Sequence, residues 1–380
     1  MTNDSRTAPA RIAVLLGRSD VRIWGMSSAE RLTRQLNRAG VAEVRDTLDG
    51  LPADADVLLL RVDYAFEQRL VDALAVRPGA ALLAGSEPVA ANVTGADAPA
   101  VAAAILAGDA AALPAGVERL DSEGLAGSYN RKLRKREIAY LIPLNERTVD
   151  EVEARSFAGS YKGVTDFVTK YVWPKPARIV TKWCAERRIT PNTVTYVGLA
   201  LVFVALWAFW NGFYLSGLVA AWIMTFLDTV DGKLARVTMT SSEFGNVLDH
   251  GIDLIHPPFW WLAWVIGLPA AGFSGDYAGL MIAIIFGGYI LQRVEEGIFL
   301  RLFGMHMHVW RPFDSFFRLI TARRNPNLVI LTVATLFGRP DVGMWLVVVW
   351  IVLSFLVHTA QIVQALIASR RGPITSWLDA

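Results

Sequence analysis

A chain of 380 residues with 53% hydrophobic residues is long enough for two domains, and a mean hydropathy of +0.37 is too apolar for an ordinary soluble protein. Lys and Arg (37) nearly balance Asp and Glu (35), so the net charge of +2 excludes a nucleic-acid footprint in the total. The single cysteine, Cys184, excludes an internal disulfide framework and a cysteine-based zinc site. The average hides a division: up to about Arg188 the chain is mixed and charged, and beyond Asn192 long apolar runs dominate.

The start, MTNDSRTAPARIAVLL, has no long apolar core and is not expected to be a secretory signal peptide. RIAVLLG (11–17) reads as a short buried strand ending at glycine, and SSAERLTRQLNRAG (27–40) as a helix with Ser at its start and Gly at its end. VAEVRD reads as a second strand, ADVLLLRVD (55–63) as a third, FEQRLVDALA (66–75) as a helix, ALLAG (81–85) as a strand and APAVAAAILAGD (98–109) as a helix. Strands alternating with helices predict an N-terminal α/β domain, residues 1–140, with a parallel or mixed sheet.

The order of these features resembles the sugar-phosphate nucleotidyltransferase (GT-A-like) fold. The matching pieces are the opening strand, RIWGMSSAERLTRQLNRAGV, and VLLLRVDYAFEQRLVDAL. In place of that family's Gly-rich nucleotide loop stands only GRSDVRIWG (17–25), and only Asp63 remains where an acidic metal ligand belongs. The resemblance implies a degenerate, non-catalytic relative; an active cytidylyltransferase or an unrelated α/β domain are the other readings. Asp63 by itself reads as a strand-end acid.

Residues 141–190 form a bridge, prefaced by Arg131, Lys132, Arg134, Lys135 and Arg136. Lys162, Lys170, Lys175, Arg178, Lys182, Arg187 and Arg188 alternate with Phe167, Tyr171, Trp173, Ile179 and Trp183, the mixture expected of interfacial helices on an anionic leaflet. A solvated basic face is the plainer reading. Pro174 and Pro176 are expected to break the helix in two.

Residues 191–380 predict an all-α integral membrane domain of six transmembrane helices, at about 193–212, 215–237, 244–268, 277–301, 326–338 and 341–368. The bridge, the loop 301–325 and the tail with Arg370 and Arg371 are basic, whereas the loops near 212–214 and 269–276 hold no Lys or Arg. The asymmetry predicts a multi-pass protein of the inner (cytoplasmic) membrane with both termini cytoplasmic.

Within this half, DTVDGKLARVTMTSSEFGNVLDHGID (228–253) places Asp228, Asp231, Asp249 and Asp253 against apolar sequence. The spacings of three and four put each pair on one helix face. Carboxylates at membrane depth need compensation, and a divalent cation with hard oxygen ligands supplies it. Gly232, Ala235 and Gly245 leave room for a bulky ligand, and Arg236 offers a fork for phosphate.

The pattern D-x2-D-G-x2-A-R-x8-G-x3-D-x3-D is matched at every position, and by it residues 185–370 resemble the CDP-alcohol phosphotransferase (CDP-alcohol phosphatidyltransferase) family; Pro191, Asn192 and Thr195 resemble the family's start of the first span. The resemblance implies a homodimeric, six-helix transferase of phospholipid synthesis with its active site open to the cytoplasm. It would move a phospho-alcohol or phosphatidyl group from a CDP-linked alcohol donor to a lipid or polyol (phosphate) acceptor and release CMP. Asp228, Asp231 and Asp249 would hold Mg²⁺ or Mn²⁺. Asp253 would be the general base or complete the metal shell. Gly232, Ala235, Arg236, Gly245, Asn192 and Thr195 would line the nucleotide pocket. The fused first domain leans the reading toward a soluble CDP-alcohol giving its headgroup to a lipid alcohol, or toward a CDP-linked polyol. A cation transporter or channel using the acids, or an inactive membrane scaffold, are the competing classes.

Weaker expectations attach to other residues. Arg293, Glu295 and Glu296 either pair with each other, as an interfacial salt bridge, or face the polar cavity, the salt bridge being preferred; His306 and His308 read as part of an interface loop rather than a metal site. Arg311, Arg318, Arg323 and Arg324 could recognise an anionic lipid or a phosphorylated acceptor. His250 and His256 read as packing or interface residues.

Overall fold

A computed structural model describes residues 11–130 and 135–378; the basic residues Arg131, Lys132 and Arg134 lie outside them, and of Lys135 only the backbone is described. The described residues divide into two compact units, residues 11–130 with 136–160 and 237–239, and residues 135, 161–236 and 240–378.

The first unit is built on strands β1 (Arg11–Leu16), β2 (Glu43–Arg45), β3 (Asp56–Arg61), β4 (Ala80–Ala84), β5 (Glu87–Thr94) and β6 (Glu118–Leu120). They form one sheet in the order β2-β1-β3-β5-β4-β6. β1 runs parallel to β2 and β3, β4 runs parallel to β6, and β5 lies antiparallel between β3 and β4. The sheet is therefore mixed. Its central strands are continuous apolar runs because helices α1 (Ser28–Arg38), α2 (Gln68–Ala75) and α3 (Ala98–Ala107) help cover its two faces. β5 was not among the predicted strands, although the turn at Gly85–Ser86 between two apolar runs is a hairpin signal. The strand Leu141–Pro143 pairs with Tyr64–Phe66, so residues 141–160 cluster with this unit. In the loop after β1, Trp24 is 1% exposed, and it donates from its backbone N to Glu153 Oε1 at 2.9 Å and from Nε1 to Ser156 Oγ at 2.8 Å. Asp63 is held by Arg61 through two bonds of 2.9 and 2.5 Å.

The second unit is helical. Helix α4 (Pro174–Glu186) exposes Ile179 and Trp183 on one side and buries Ala177, Thr181 and Cys184 on the other. As expected, the prolines separate two helical pieces: a helical turn at Val168–Val172 ends at Trp173, and α4 starts anew at Pro174. Both prolines sit in the first turn of α4, where the amide that proline lacks would have no helical partner. Next come α5 (Pro191–Trp210), α6 (Tyr214–Val237), α7 (Glu243–Gly267), α8 (Ala278–Phe303), α9 (Arg324–Leu336) and α10 (Pro340–Ser369). Four of these, α5, α6, α8 and α10, are long and apolar enough to cross a membrane. α7 has the length, but Glu243, Asp249 and Asp253 make its first half polar, and α9 has only 13 residues.

The helices pack through aromatic side chains whose polar atoms find backbone partners, as buried Trp and Tyr must. Trp260 Nε1 donates to Val202 O at 3.0 Å, and Tyr214 OH donates to Trp264 O at 2.9 Å. α5 and α7 approach so closely at Gly267 that a Cβ there would lie 1.9 Å from Phe209 O. Outward, Phe203, Trp207, Leu215, Val219, Leu346 and Leu356 are exposed, which suits a lipid-facing surface rather than water.

Candidate active site at the acidic helix pair

Asp228 and Asp231 lie in the C-terminal half of α6, and Asp249 and Asp253 in the N-terminal half of α7. The loop 238–242 between the two helices is short enough to keep them neighbours, so the two acidic faces meet. Asp228, Asp249 and Asp253 each bring a carboxylate oxygen within 4.8 Å of the others. Three converging hard oxygen donors fit a divalent cation of the Mg²⁺ or Mn²⁺ kind.

Asp231 stands apart from this group. It is 3% exposed; its Oδ2 accepts from Thr195 Oγ1 at 2.5 Å and its Oδ1 from Gly232 N at 2.5 Å. Thr195 thus ties α5 to the motif. Of the converging trio, Asp253 has the most open side chain (43% exposed, against 16% for Asp228 and 33% for Asp249).

Arg324, at the start of α9, reaches into the trio. Its Nη2 lies 2.6 Å from Asp228 Oδ2 and its Nη1 2.5 Å from Asp253 Oδ1. The sequence suggested Arg324 as a recognition residue for anions; in the fold it is first a partner of the acids.

These groups open onto a cavity of about 520 Å³, well within the usual range for a small-molecule site. Gly232 and Arg236 line it, whereas Ala235, Gly245, Asn192 and Thr195 do not. A Cβ on Gly232 would sit 3.1 Å from Arg236 Nη2, so the glycine leaves space for that guanidinium. Gly245 serves packing of the same motif: a Cβ there would lie 2.9 Å from Asn192 Oδ1. The Ala235 carbonyl accepts from Thr240 N at 3.0 Å at the end of α6. Lys233, which sequence reasoning passed over, is 5% exposed with its Nζ 3.7 Å from the Tyr161 ring centre.

Another part of the cavity lining is basic. Arg293, Arg318 and Arg323 line it with Glu296 and His308. Glu296 accepts from Arg293 Nη1 at 3.3 Å and from Arg323, which bears out the expected salt bridge; Glu295 instead accepts from Thr359 Oγ1 at 2.6 Å. Arg311 is committed to Asp314 by two bonds of 3.0 Å. His308 corrects its expectation as an interface residue: it is 4% exposed, 3.4 Å from Glu296 Oε1 and beside His358. Glu296, His308 and His358 could be read as ligands, but the two arginines on Glu296 favour an ion network over a cation site. No spacing rule could have found His358, fifty residues away. Asp166, outside the helical spans, also lines the cavity. Burial raises its carboxyl, but the Arg318 charge and hydrogen bonds from Thr169 and Asn325 outweigh it and hold the group below the ordinary carboxylate range.

A family model described as CDP-alcohol phosphatidyltransferase matches residues 188–321, the segment that carries all four acids. By that match, residues 188–321 are similar to the CDP-alcohol phosphatidyltransferase family. Among curated relatives, an archaetidylinositol phosphate synthase of Pyrococcus horikoshii is 27% identical over 49% of the chain and 92% of its own length. A cholinephosphotransferase 1 of Xenopus laevis is 29% identical over 30% of each chain. A phosphatidylinositol phosphate synthase of Streptomyces avermitilis is 30% identical over 23% of this chain and 38% of its own. The match thus spans nearly all of the archaeal relative and about a third of the other two. All three names are those of transferases.

Proposed function

We propose that this chain is a multi-pass enzyme of the cytoplasmic membrane that moves a phosphate-linked group from a CDP-linked donor to a hydroxyl acceptor and releases CMP. One observation carries the reading: three converging carboxylates and five arginines line the same cavity. A CDP donor brings a diphosphate and its acceptor brings a hydroxyl, and the two walls suit these in turn. Asp228, Asp249 and Asp253 would hold Mg²⁺ or Mn²⁺, and such an ion neutralises charge on a diphosphate. Asp253, the most open carboxylate, takes the proton of the acceptor hydroxyl. Arg236, given room by Gly232, binds the diphosphate as a planar fork. Asp231, fixed by Thr195, keeps α5 and α6 in register beneath the site. Six spans, cytoplasmic termini, a site open to the cytoplasm and a homodimer complete the reading. The first unit serves without catalysis, because Trp24 fills the loop after β1 and Asp63 is committed to Arg61.

For the acceptor, the basic wall favours a polyol phosphate over a lipid alcohol. Arg293 Nε, Arg318 Nη1 and Arg323 Nε are buried donors with no partner among the described residues. Two of the relatives' names include an inositol phosphate, whereas the cholinephosphotransferase name points to the other scheme. Purified protein with Mg²⁺ would be given CDP-diacylglycerol with inositol phosphate or free inositol, and separately CDP-choline with diacylglycerol. CMP release only in the first pairing is expected. Release only from CDP-choline would overturn the acceptor, and no release from any CDP-linked donor would overturn the reaction. A cation pathway, the competing class, requires no CMP release at all.

A further inference from the structure

Arg324 occupies the first position of α9, where the unpaired amides of a helix start disfavour a cation. Helix stability is therefore not what places it. Its neighbour Arg323 turns to Glu296, while Arg324 turns the other way and spans two helices, Asp228 on α6 and Asp253 on α7. The side chain is 13% exposed, so the pairing is held in a largely desolvated place. Both partners belong to the trio whose oxygens converge, and the same carboxylates thus face two candidate cations, the resident guanidinium and a divalent ion.

We propose that Arg324 is a built-in counter-ion that competes with the divalent cation for Asp228 and Asp253, and that cation loading turns its guanidinium toward the diphosphate of the donor. The inference rests on the trio being the cation site. Converging carboxylates in apolar surroundings repel one another strongly unless a cation stands between them. Arg324 supplies that cation from within the chain. A divalent ion drawing on the same oxygens weakens their hold on Arg324 and repels it. The freed guanidinium matches a phosphate with two parallel bonds. By reciprocity, a diphosphate that receives Arg324 makes cation binding more favourable, so donor and metal enter as a coupled pair.

The test is Mn²⁺ binding to the purified full chain in detergent, read by electron paramagnetic resonance of free Mn²⁺ without nucleotide. Arg324→Gln should bind Mn²⁺ about tenfold tighter than wild type, since a strong charge-assisted pair no longer has to be displaced. Arg324→Lys, a point charge that cannot bridge both carboxylates, should fall between. The Gln variant should also unfold at lower temperature without metal and recover toward wild type as Mn²⁺ saturates. A merely structural arginine would instead weaken the site when removed. Equal or weaker Mn²⁺ binding by the folded Gln variant overturns the proposal; if that variant does not fold, equal or weaker binding by the Lys variant does so. Absence of Mn²⁺ binding in every variant and in wild type overturns the cation site itself. No substrate enters this measurement, so tight Mn²⁺ binding without CMP release would overturn the reaction and leave the role of Arg324 intact.

Discussion

Replacing Thr195 by valine removes one hydroxyl and keeps the shape of the side chain. That hydroxyl has one hydrogen and two acceptors in reach, Asp231 Oδ2 at 2.5 Å and Pro191 O at 3.1 Å. The shorter contact, to the carboxylate, takes the proton. Asp231 is 3% exposed, so water cannot substitute for the lost donor. A hydrogen bond to a charged group contributes about 1.5–3 kcal/mol, and a buried acceptor left short adds a desolvation penalty on the same scale. The bond from Gly232 N at 2.5 Å remains and limits the damage. Thr195→Val should therefore lose about 2–3 kcal/mol, enough to lower Tm by several degrees. The matching control is Thr195→Ser, which keeps the donor and should lose about 1 kcal/mol or less for one methylene-sized group. Tryptophan fluorescence during thermal unfolding in detergent reads the difference, and CMP release on the same samples should fall with the Val variant. A Thr195→Val protein with wild-type Tm and rate, while Asp231→Asn loses both, would refute the argument that Thr195 holds Asp231.

Asp249→Asn and Asp253→Asn should each reduce CMP release by at least about a thousandfold with little loss of folded protein, because each removes a charged group that the chemistry uses; retained activity in either would sink the mechanism. Ala at Arg318 or Arg323 should raise the KM for a polyol phosphate about tenfold, the worth of one charge-assisted contact, and leave the KM for the CDP donor unchanged; an unchanged acceptor KM would remove the basic wall from recognition. Gly267→Ala should prevent stable folding, since its Cβ would lie 1.9 Å from the Phe209 carbonyl oxygen, and wild-type Tm would show the α5–α7 packing to be misjudged. Asp166 titrates below the ordinary carboxylate range, so its contribution to stability is complete above the unfolded-state value and is lost as pH falls through the lower folded value. Asp166→Asn should accordingly lower Tm at pH 7, with the gap to wild type closing on acidification toward pH 3; a gap independent of pH would remove that linkage.

The acidic motif was legible in the sequence because its spacing is a helical spacing: three and four residues place carboxylates on one face whatever else the chain does. The helix boundaries followed for the same reason, from apolar runs that end at Asn211-Gly212 and Gly304. What could not be read was every contact that crosses helices far apart in sequence. Arg324 lies ninety-six residues from Asp228, and its basic neighbours made it look like part of a loop for anions. His308 and His358 are separated by the whole of α9, so no local period links them. Inside the first unit, β5 was missed because Pro88 and polar Asn92 hide an apolar run, and only pairing with β3 and β4 on both sides makes that run a strand. Pro174 and Pro176 were legible for a local reason: proline cannot continue the turn before it but suits the start of the next, so the helical turn at Val168–Val172 ends and α4 begins at Pro174.

The placement of charge in the helical unit follows one rule. Among the described residues lining the cavity, carboxylates at membrane depth face cations: Asp228 and Asp253 face Arg324 from another helix, Glu296 faces Arg293 on its own helix and Arg323 just before α9, and the Arg236 charge acts first on Asp249. Isolated, any of these groups would be severely destabilising in apolar surroundings; as pairs across helices they become tie-points that hold α6, α7, α8 and α9 around one space. On the proposed reaction, a substrate bearing a diphosphate would enter such a space by exchange rather than by addition. Its phosphates would take over guanidinium groups, and the carboxylates left behind would need a cation that arrives with it. Selectivity for a metal-bound, phosphate-bearing donor would then be a property of the pairing scheme itself. A neutral nucleoside could not trigger the exchange, which leads to a final expectation: cytidine should leave the Tm of the chain unchanged even in Mg²⁺, while CDP with Mg²⁺ raises it, by mass action on the folded state. Equal stabilisation by cytidine and CDP would mean that the base, not the diphosphate, is what the cavity recognises.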